Sequence, residues 1–351
     1  MAPNSWRRDL PLSRARRLVE GSPMSAIEAQ RNRRLIGLAL AAPPLLLLCL
    51  LAGGGSYGPA LLFESELAGI LQLRLWRVLL GGLVGAGLAM AGAALQAVLR
   101  NPLAEPYVLG ISSGAGLGTV AAILAGGLAL GVWVQPAAGF IGALLSLAVV
   151  YRLACFDGRT SPHTLILAGV VWGSVCASVL FFVVSQSSAD GLHAVMWWML
   201  GDLQVFEPDL VKLAGGLILL AGVLLYGQAR ALNALTFGEE VAGGIGIEPE
   251  RARRIALALA SLLAATAVSV SGLIGFVGLV APHAMRSWVG PNHRRLLPAS
   301  ALAGALFLVV ADAIGRTILY PMEVPVGVFT SVVGGPFFLV LLRRRQKQVW
   351  V

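Results

Sequence analysis

The sequence predicts an all-α, polytopic membrane protein with ten transmembrane helices. Three observations carry that reading. Hydrophobic residues make up 57% of the 351-residue chain and charged residues 12%, against roughly 25% charged in a soluble domain. Apolar runs recur from Leu35 to Leu342, and about 20 residues at 1.5 Å rise suffice to cross a roughly 30 Å hydrocarbon core. Once those runs are marked off, 22 of the 26 basic residues fall in segments facing one side. A net charge of +9 would point to nucleic acid in a soluble chain, but these arginines sit in short loops and tails, where the positive-inside rule accounts for them.

The elements follow in order. The first 34 residues carry eight arginines and are too long and too charged for the basic region of a signal peptide. The run 35–52 is therefore read as a retained first span. Spans 76–99, 107–131, 132–151, 164–184, 210–227, 255–273, 275–290, 297–315 and 325–342 follow. The eighth is short, glycine-rich and interrupted by Pro282, so part of it is expected to be broken or re-entrant and sheltered by protein. Ten crossings put the tails 1–34 and 343–351 on one side, together with loops holding Arg100, Arg152, Arg159, Arg230, Arg251, Arg253, Arg254, Arg286, Arg294 and Arg295. Dropping any one span would move Arg343, Arg344 and Arg345 across and degrade the pattern.

Glycine accounts for 43 residues and concentrates inside the spans, which implies close helix packing through small-residue faces. The segments Gly92–Pro102 and Gly278–Gly290 echo each other, each carrying a glycine-rich run into a turn with proline and arginine, although the match is short. Cys49, Cys155 and Cys176 have no metal-binding spacing and read as buried small hydrophobes.

Several chemistries are missing. The chain has two lysines, Lys212 and Lys347, and neither belongs to a GxxxxGK[ST] phosphate loop. Ion-coupled carriers usually hold carboxylates within spans, whereas Asp312 alone lies well inside one here. Its spacing to Arg316 suits a local helix ion pair. His163, His193, His283 and His293 are scattered, without an HExxH or triad spacing. A secondary carrier and a membrane-embedded enzyme are both disfavoured on these grounds.

Two stretches call for partners. The loop 228–254 holds a short helical stretch, Phe237 to Gly246, with an acidic start at Glu239 and Glu240. Those carboxylates either serve only the helix N-terminus or open a docking helix that receives force from a separate ATPase. On the far side, Arg74, Arg77 and Arg316 escape the inward bias; they are either snorkelling anchors or positive knobs for an acidic external partner. Lys212, the fourth exception, reads as an ordinary end-of-span charge. Asp190–Gln204, with Trp197 and Trp198, reads as an amphipathic interfacial helix or as the mouth of a pathway.

The chain resembles the membrane permease of binding-protein-dependent ABC importers for iron-siderophores, haem and cobalamin. The matching blocks are Arg74-Leu75-Trp76-Arg77, LQAVLRNPLAEPYVLGISSGAGLG from Leu95, MWWMLGDL from Met196 and FGEEVAGGIGI from Phe237. They continue with GFVGLVAPHAMR from Gly275, HRRLLPASALAGA from His293 and PMEVPVGVFTSVVGGPFFLVLLRR from Pro321. The resemblance covers nearly everything beyond the N-terminal tail. Trp76 departs from the proline usual between the two arginines, and Gly243 replaces a commonly charged residue.

The resemblance implies a permease domain over 35–342 that forms a homodimer in a bacterial inner membrane, both termini cytoplasmic. Two cytoplasmic ATPase subunits would carry ATP and Mg, this chain binding no cofactor, metal or nucleic acid and having no catalytic residue. Gly238, Glu239, Glu240, Val241, Ala242 and Gly246 would form the coupling helix. A periplasmic binding protein would dock on Arg74, Arg77 and Arg316. Val171, Ser174, Ser178, Trp198, Pro282 and Thr330 would line or gate a path along the dimer axis. Asn101, Pro102, Glu105 and Pro106 mark a signature cytoplasmic loop. The expected substrate is haem or another iron chelate, with cobalamin as the alternative.

Overall fold

The computed structural model describes residues 23–53, 67–126, 130–205 and 207–349. Most of the expected N-terminal tail, residues 1–22, lies outside the described residues, as do 350–351. The ten expected spans correspond to α1 (Pro23–Leu51), α2 (Ala68–Val98), α3 (Ile111–Leu124), α4 (Val134–Ala154), α5 (Pro162–Ser185), α7 (Pro208–Gly227), α10 (Pro249–Ser271), α11 (Val277–Val289), α12 (His293–Ile318) and α13 (Val326–Val349). Between them lie α6 (Ala189–Leu200), α8 (Ala229–Phe237) and α9 (Glu239–Gly244). Among the described residues, seven helices are long and apolar enough to cross a membrane; α3, α11 and the apolar part of α13 are shorter.

Several expected boundaries shift. α1 begins at Pro23, because no breaker separates the basic stretch from the apolar run, and its Arg34 donates to the Trp288 carbonyl at 2.8 Å. The third span, expected over 107–131, is instead a 3-10 turn at Pro106–Leu109 followed by the 14-residue α3. Gly110 (φ 73°) makes that break, a left-handed conformation that a residue without Cβ adopts readily. The eighth span is broken as expected: residues 272–276 are non-helical and α11 is 13 residues long, with Phe276 in the left-handed region (φ 67°) at its N-cap.

α2 is the central post of the bundle and packs against α12, α10, α11 and α7. Small residues set its distances. A Cβ on Gly85 would collide with the Gly304 carbonyl of α12, and one on Gly92 with the Gly278 carbonyl of α11. The two echoing segments of the sequence therefore cross each other backbone to backbone. A second layer, α3 on α4, is equally close, with Gly118 against the Ala138 carbonyl, and α5 packs onto that pair. α10 joins the layers, contacting α2, α4 and α7. Between α4 and α5 a two-residue hairpin pairs Cys155 with Thr160 and Phe156 with Arg159, turned by Asp157 (φ 49°) and Gly158 (φ 73°) as a tight hairpin requires.

The glycine contacts yield a test. Gly85→Val forces two backbones apart and is expected to cost at least the roughly 3 kcal/mol upper end of ordinary overpacking. Gly82→Val, with nothing within 4 Å of its Cβ, should stay within about 0.5 kcal/mol of wild type. Thermal unfolding in detergent, followed by tryptophan fluorescence, distinguishes the two.

Candidate functional site

The bundle has two polar ends. One, the basic end, carries Arg100, Arg254 and Arg295; the other carries Arg74, Arg77 and Arg316. At that opposite end the three arginines are engaged within the chain. Arg77 donates to Asp312 and to Glu323, each at 2.9 Å. Arg316 donates to Asp312 at 2.9 Å, so the pair expected from the i,i+4 spacing is present, but Asp312 is shared with Arg77 from α2. Arg316 also caps the Ala52 and Cys49 carbonyls, at 3.0 and 3.1 Å, and Arg74 caps Leu51 at 3.1 Å. These are carbonyls that the end of α1 leaves without helical partners. Arg74 is 9% exposed and Arg316 5%, so they are buried clamps more than protruding knobs. A cleft of about 420 Å³ opens over them, lined by Arg77, Gln204, Tyr320 and Glu323 among others.

Beside this cluster, α6 flanks a second cavity of about 630 Å³, lined by Trp197, Trp198, Gln135, Asp202 and Glu207. Burial raises the Asp202 carboxyl above the usual range, opposed by the Gln204 N–H and by nearby Arg77. Trp197 donates to His193 Nε2 at 2.7 Å. Lys212 pairs with Asp209 at 2.6 Å and sits 5.8 Å from the Trp76 ring centroid, so the tryptophan between the two arginines carries a cation–π contact.

At the basic end, α8 and α9 form the knob expected in the 228–254 loop. Gly238 (φ 112°) turns between them and Gly246 (φ 77°) ends α9. Ala242 is fully buried beneath the knob, whereas Phe237, Val241 and Ile245 are 77%, 47% and 50% exposed. Val241 and Ile245, four apart on α9 and its C-cap, make an apolar stripe; Phe237 closes α8 before the Gly238 turn, and with Ile245 it extends the expected set. Glu240 is exposed, but Glu239 is bound to Arg253, a buried arginine of α10 that the sequence reading counted only as a topological charge. Arg253 also bonds Glu250 and the Thr160 carbonyl.

The signature loop divides. Asn101 stays at the basic end, its Oδ1 accepting from Leu103 N–H at 3.0 Å, with Pro102 next to it. Glu105 and Pro106 turn into the bundle: Glu105 accepts from the Phe276 N–H at 2.8 Å, and Pro106 packs under Gly278. Burial raises the Glu105 carboxyl, and the Phe276 bond opposes that. Tyr107 hydroxyl donates to the Ile274 carbonyl (2.7 Å) and accepts from the Ile274 N–H (3.0 Å), completing the strap.

The expected path residues fall into two groups. Val171, Ser174 and Ser178 share an exposed face of α5, and the two serine hydroxyls donate to Val170 and Ser174 carbonyls at 2.9 and 3.0 Å. Trp198, Pro282 and Thr330 are buried. Thr330 donates to Gly327 at 3.1 Å; the Trp198 carbonyl abuts Gly272, and Gly327 packs against Leu200 and Leu273. Trp198, the broken eighth span and the first turn of α13 thus meet, while the α5 face lies apart from them. Cys49 and Cys176 are buried and Cys155 half-buried, and among the described residues no group of three or more His, Cys, Asp or Glu could hold a metal ion.

Asp312 is 3% exposed and serves two cations, so Asp312→Asn should cost about 3–5 kcal/mol by leaving buried charges unbalanced. Glu323→Gln, at a 39% exposed side chain, should cost under about 1 kcal/mol. Equilibrium denaturation in mixed micelles checks both values.

Residues 39–344 match the FecCD transport family. The cobalamin import system permease of Halobacterium salinarum is 44% identical over 274 residues, 78% of this chain and 73% of that protein. The hemin transport system permease of Yersinia pestis is 39% identical, covering 79% of this chain and 84% of its own. The Fe(3+)-citrate import permease of Bacillus subtilis is 40% identical, covering 78% and 81%. Among solved structures, one described as an inward-facing metal-chelate type ABC transporter superposes with a TM-score of 0.79 at 29% identity, over 89% of this chain and 99% of that one. A match of that extent in sequence, repeated by the helix arrangement, assigns the chain: it belongs to the FecCD transport family and is a multi-pass membrane permease of the ABC importer type.

Proposed function

We propose that this permease moves haem or another iron chelate inward across a bacterial inner membrane, driven by two separate ATPase subunits bound at its basic end. The observation that carries the reading is the α9 knob. The chain has no phosphate-binding loop, yet it presents Val241 and Ile245 as an exposed apolar stripe on a helix anchored by buried Ala242, with exposed Phe237 at the end of α8. An apolar stripe on an anchored element suits a partner that pushes. Both termini then lie in the cytoplasm with the knob, in line with the basic-residue bias. ATP and Mg belong to the ATPases, and this subunit carries no cofactor.

A second copy of the chain completes the path. The α5 face offers Val171, Ser174 and Ser178 with the hydroxyl protons already donated to backbone, a surface suited to weak contact and release. Recognition then lies with a periplasmic binding protein docking over the cleft of Arg74, Arg77 and Arg316, whose carboxylates would exchange with Asp312 and Glu323. Trp198, Pro282 and Thr330 sit where the broken eighth span meets α13 and would move as a gate. Cobalamin is the second reading, favoured by the 44% identity to a permease named for it.

Reconstituted with its ATPase and binding protein, the complex should take up haemin or ferric citrate into proteoliposomes only with ATP. Uptake of cyanocobalamin alone moves the assignment to the second reading. Uptake driven by an ion gradient without ATPase subunits overturns the importer reading. The two ends should also separate: Val241→Asp is expected to reduce ATPase co-purification at least tenfold and leave binding-protein affinity unchanged. Arg77→Gln, at the most exposed of the three arginines, should do the reverse, measured by surface plasmon resonance against the binding protein.

A further inference from the structure

α9 and α5 are distant in sequence and belong to different layers of the fold. α9 packs on α8 and α10, while the main partners of α5 are α3 and α4. A polar chain nevertheless runs between them at the basic end. Arg253, 3% exposed in the second turn of α10, binds Glu239, the first residue of α9, through Nη2. Its Nη1 donates to the Thr160 carbonyl and, at 2.8 Å, to Glu250. Glu250 accepts from the Thr160 hydroxyl at 3.0 Å, the Thr160 N–H at 3.3 Å and the Tyr151 hydroxyl at 3.4 Å.

Thr160 is therefore held by its N–H, its carbonyl and its hydroxyl. It is also the last residue before the N-cap of α5. Ser161 caps that helix in a reciprocal box, accepting from Thr164 N–H at 3.1 Å while Thr164 Oγ1 accepts from Ser161 N–H at 3.2 Å. The hairpin 155–160 links the same point to the end of α4. A guanidinium holds several acceptors in a fixed planar fork, which an ammonium does not. A shift of α9 would thus pull on Glu239, turn the Arg253 fork and move the entry of α5, the helix that presents Val171, Ser174 and Ser178.

We propose that Arg253 and Glu250 are positioning residues forming the mechanical junction by which displacement of α9 is passed to α5. The proposal rests on the transport reading above and adds to it the route taken inside this chain. A purely structural role for the cluster would anchor α9 and nothing more, so the test separates anchoring from transmission.

The experiment uses the full permease–ATPase–binding-protein complex in proteoliposomes, with haemin, ferric citrate and cyanocobalamin as probes, measuring substrate imported per ATP hydrolysed. Arg253→Lys, at a buried arginine outside the docking knob, is expected to lower that ratio at least fivefold with ATPase retention unchanged. Glu250→Gln should do the same, and Arg253→Lys with Glu250→Gln should fall no further than the worse single variant, because both break one chain. An unchanged ratio, multiplying effects in the double variant, or a loss of transport that only tracks loss of bound ATPase overturns the junction. Spin labels at Gly244 and His163, in a background lacking Cys49, Cys155 and Cys176, give a readout independent of substrate. Their ATP-dependent distance change should be altered in Arg253→Lys, and an identical change in both proteins overturns the junction. A wild-type complex that imports none of the three probes counts against the transport reading, and the spin-label pair then decides the junction alone.

Discussion

A helix that stops partway through a bundle exposes backbone donors and acceptors that hydrocarbon cannot satisfy. This constraint organises much of the fold. The non-helical residues 272–276 and the 3-10 turn at 106–109 are two such interruptions, and each answers the other. Glu105 takes the Phe276 N–H, and Tyr107 takes both polar groups of Ile274. Close backbone approach makes the exchange geometrically possible: α2 and α11 touch at Gly92 and Gly278, and Pro106 fills the space beside Gly278. Short spans are thereby compatible with a membrane because they lie inside protein.

The charges follow a comparable logic at the two ends. Arginines at the end opposite the basic tails cap the last carbonyls of α1 and share two carboxylates. At the basic end a single buried arginine gathers Glu239, Glu250 and Thr160. Each cluster binds three or more chain segments at one point, which a pairwise salt bridge on the surface does not. The ends of this bundle are fastened by polar networks and its middle by small-residue contact.

Span number, the broken eighth span, the loop knob and the Asp312–Arg316 pair were legible in the sequence because each is a local pattern: an apolar run, a proline among glycines, an acidic helix start, an i,i+4 spacing. Contacts across long separations were not. Arg77 reaches Asp312 across 235 residues and Arg253 reaches Thr160 across 93, and neither arginine differs locally from its neighbours. For the same reason the reading of Arg74 and Arg316 as anchors or as positive knobs held no sign that they also cap the last carbonyls of α1. Thr330 and Trp198 were chosen by resemblance, and no periodicity distinguishes their buried faces from the exposed face of α5. Nothing in the sequence marks Val241 and Ile245 as the exposed side of α9, because that depends on Ala242 being the side that packs.

α1 is held differently from every other long helix. Only 11% of its apolar window is buried, while both of its ends are tied by ions and carbonyl caps: Glu28 to Arg295 and Arg34 to Trp288 at one end, Arg74 and Arg316 on its last carbonyls at the other. It resembles a stave strapped at top and bottom, with lipid wetting most of its length. Such a stave is held by its ends and by short apolar seams through Leu35, Leu38, Leu45 and Leu46, while α2, α10, α11 and α12 also pack on one another without it. Loosening either strap would therefore let α1 swing outward while the close contact of α2 with α11 and α12 stays shut.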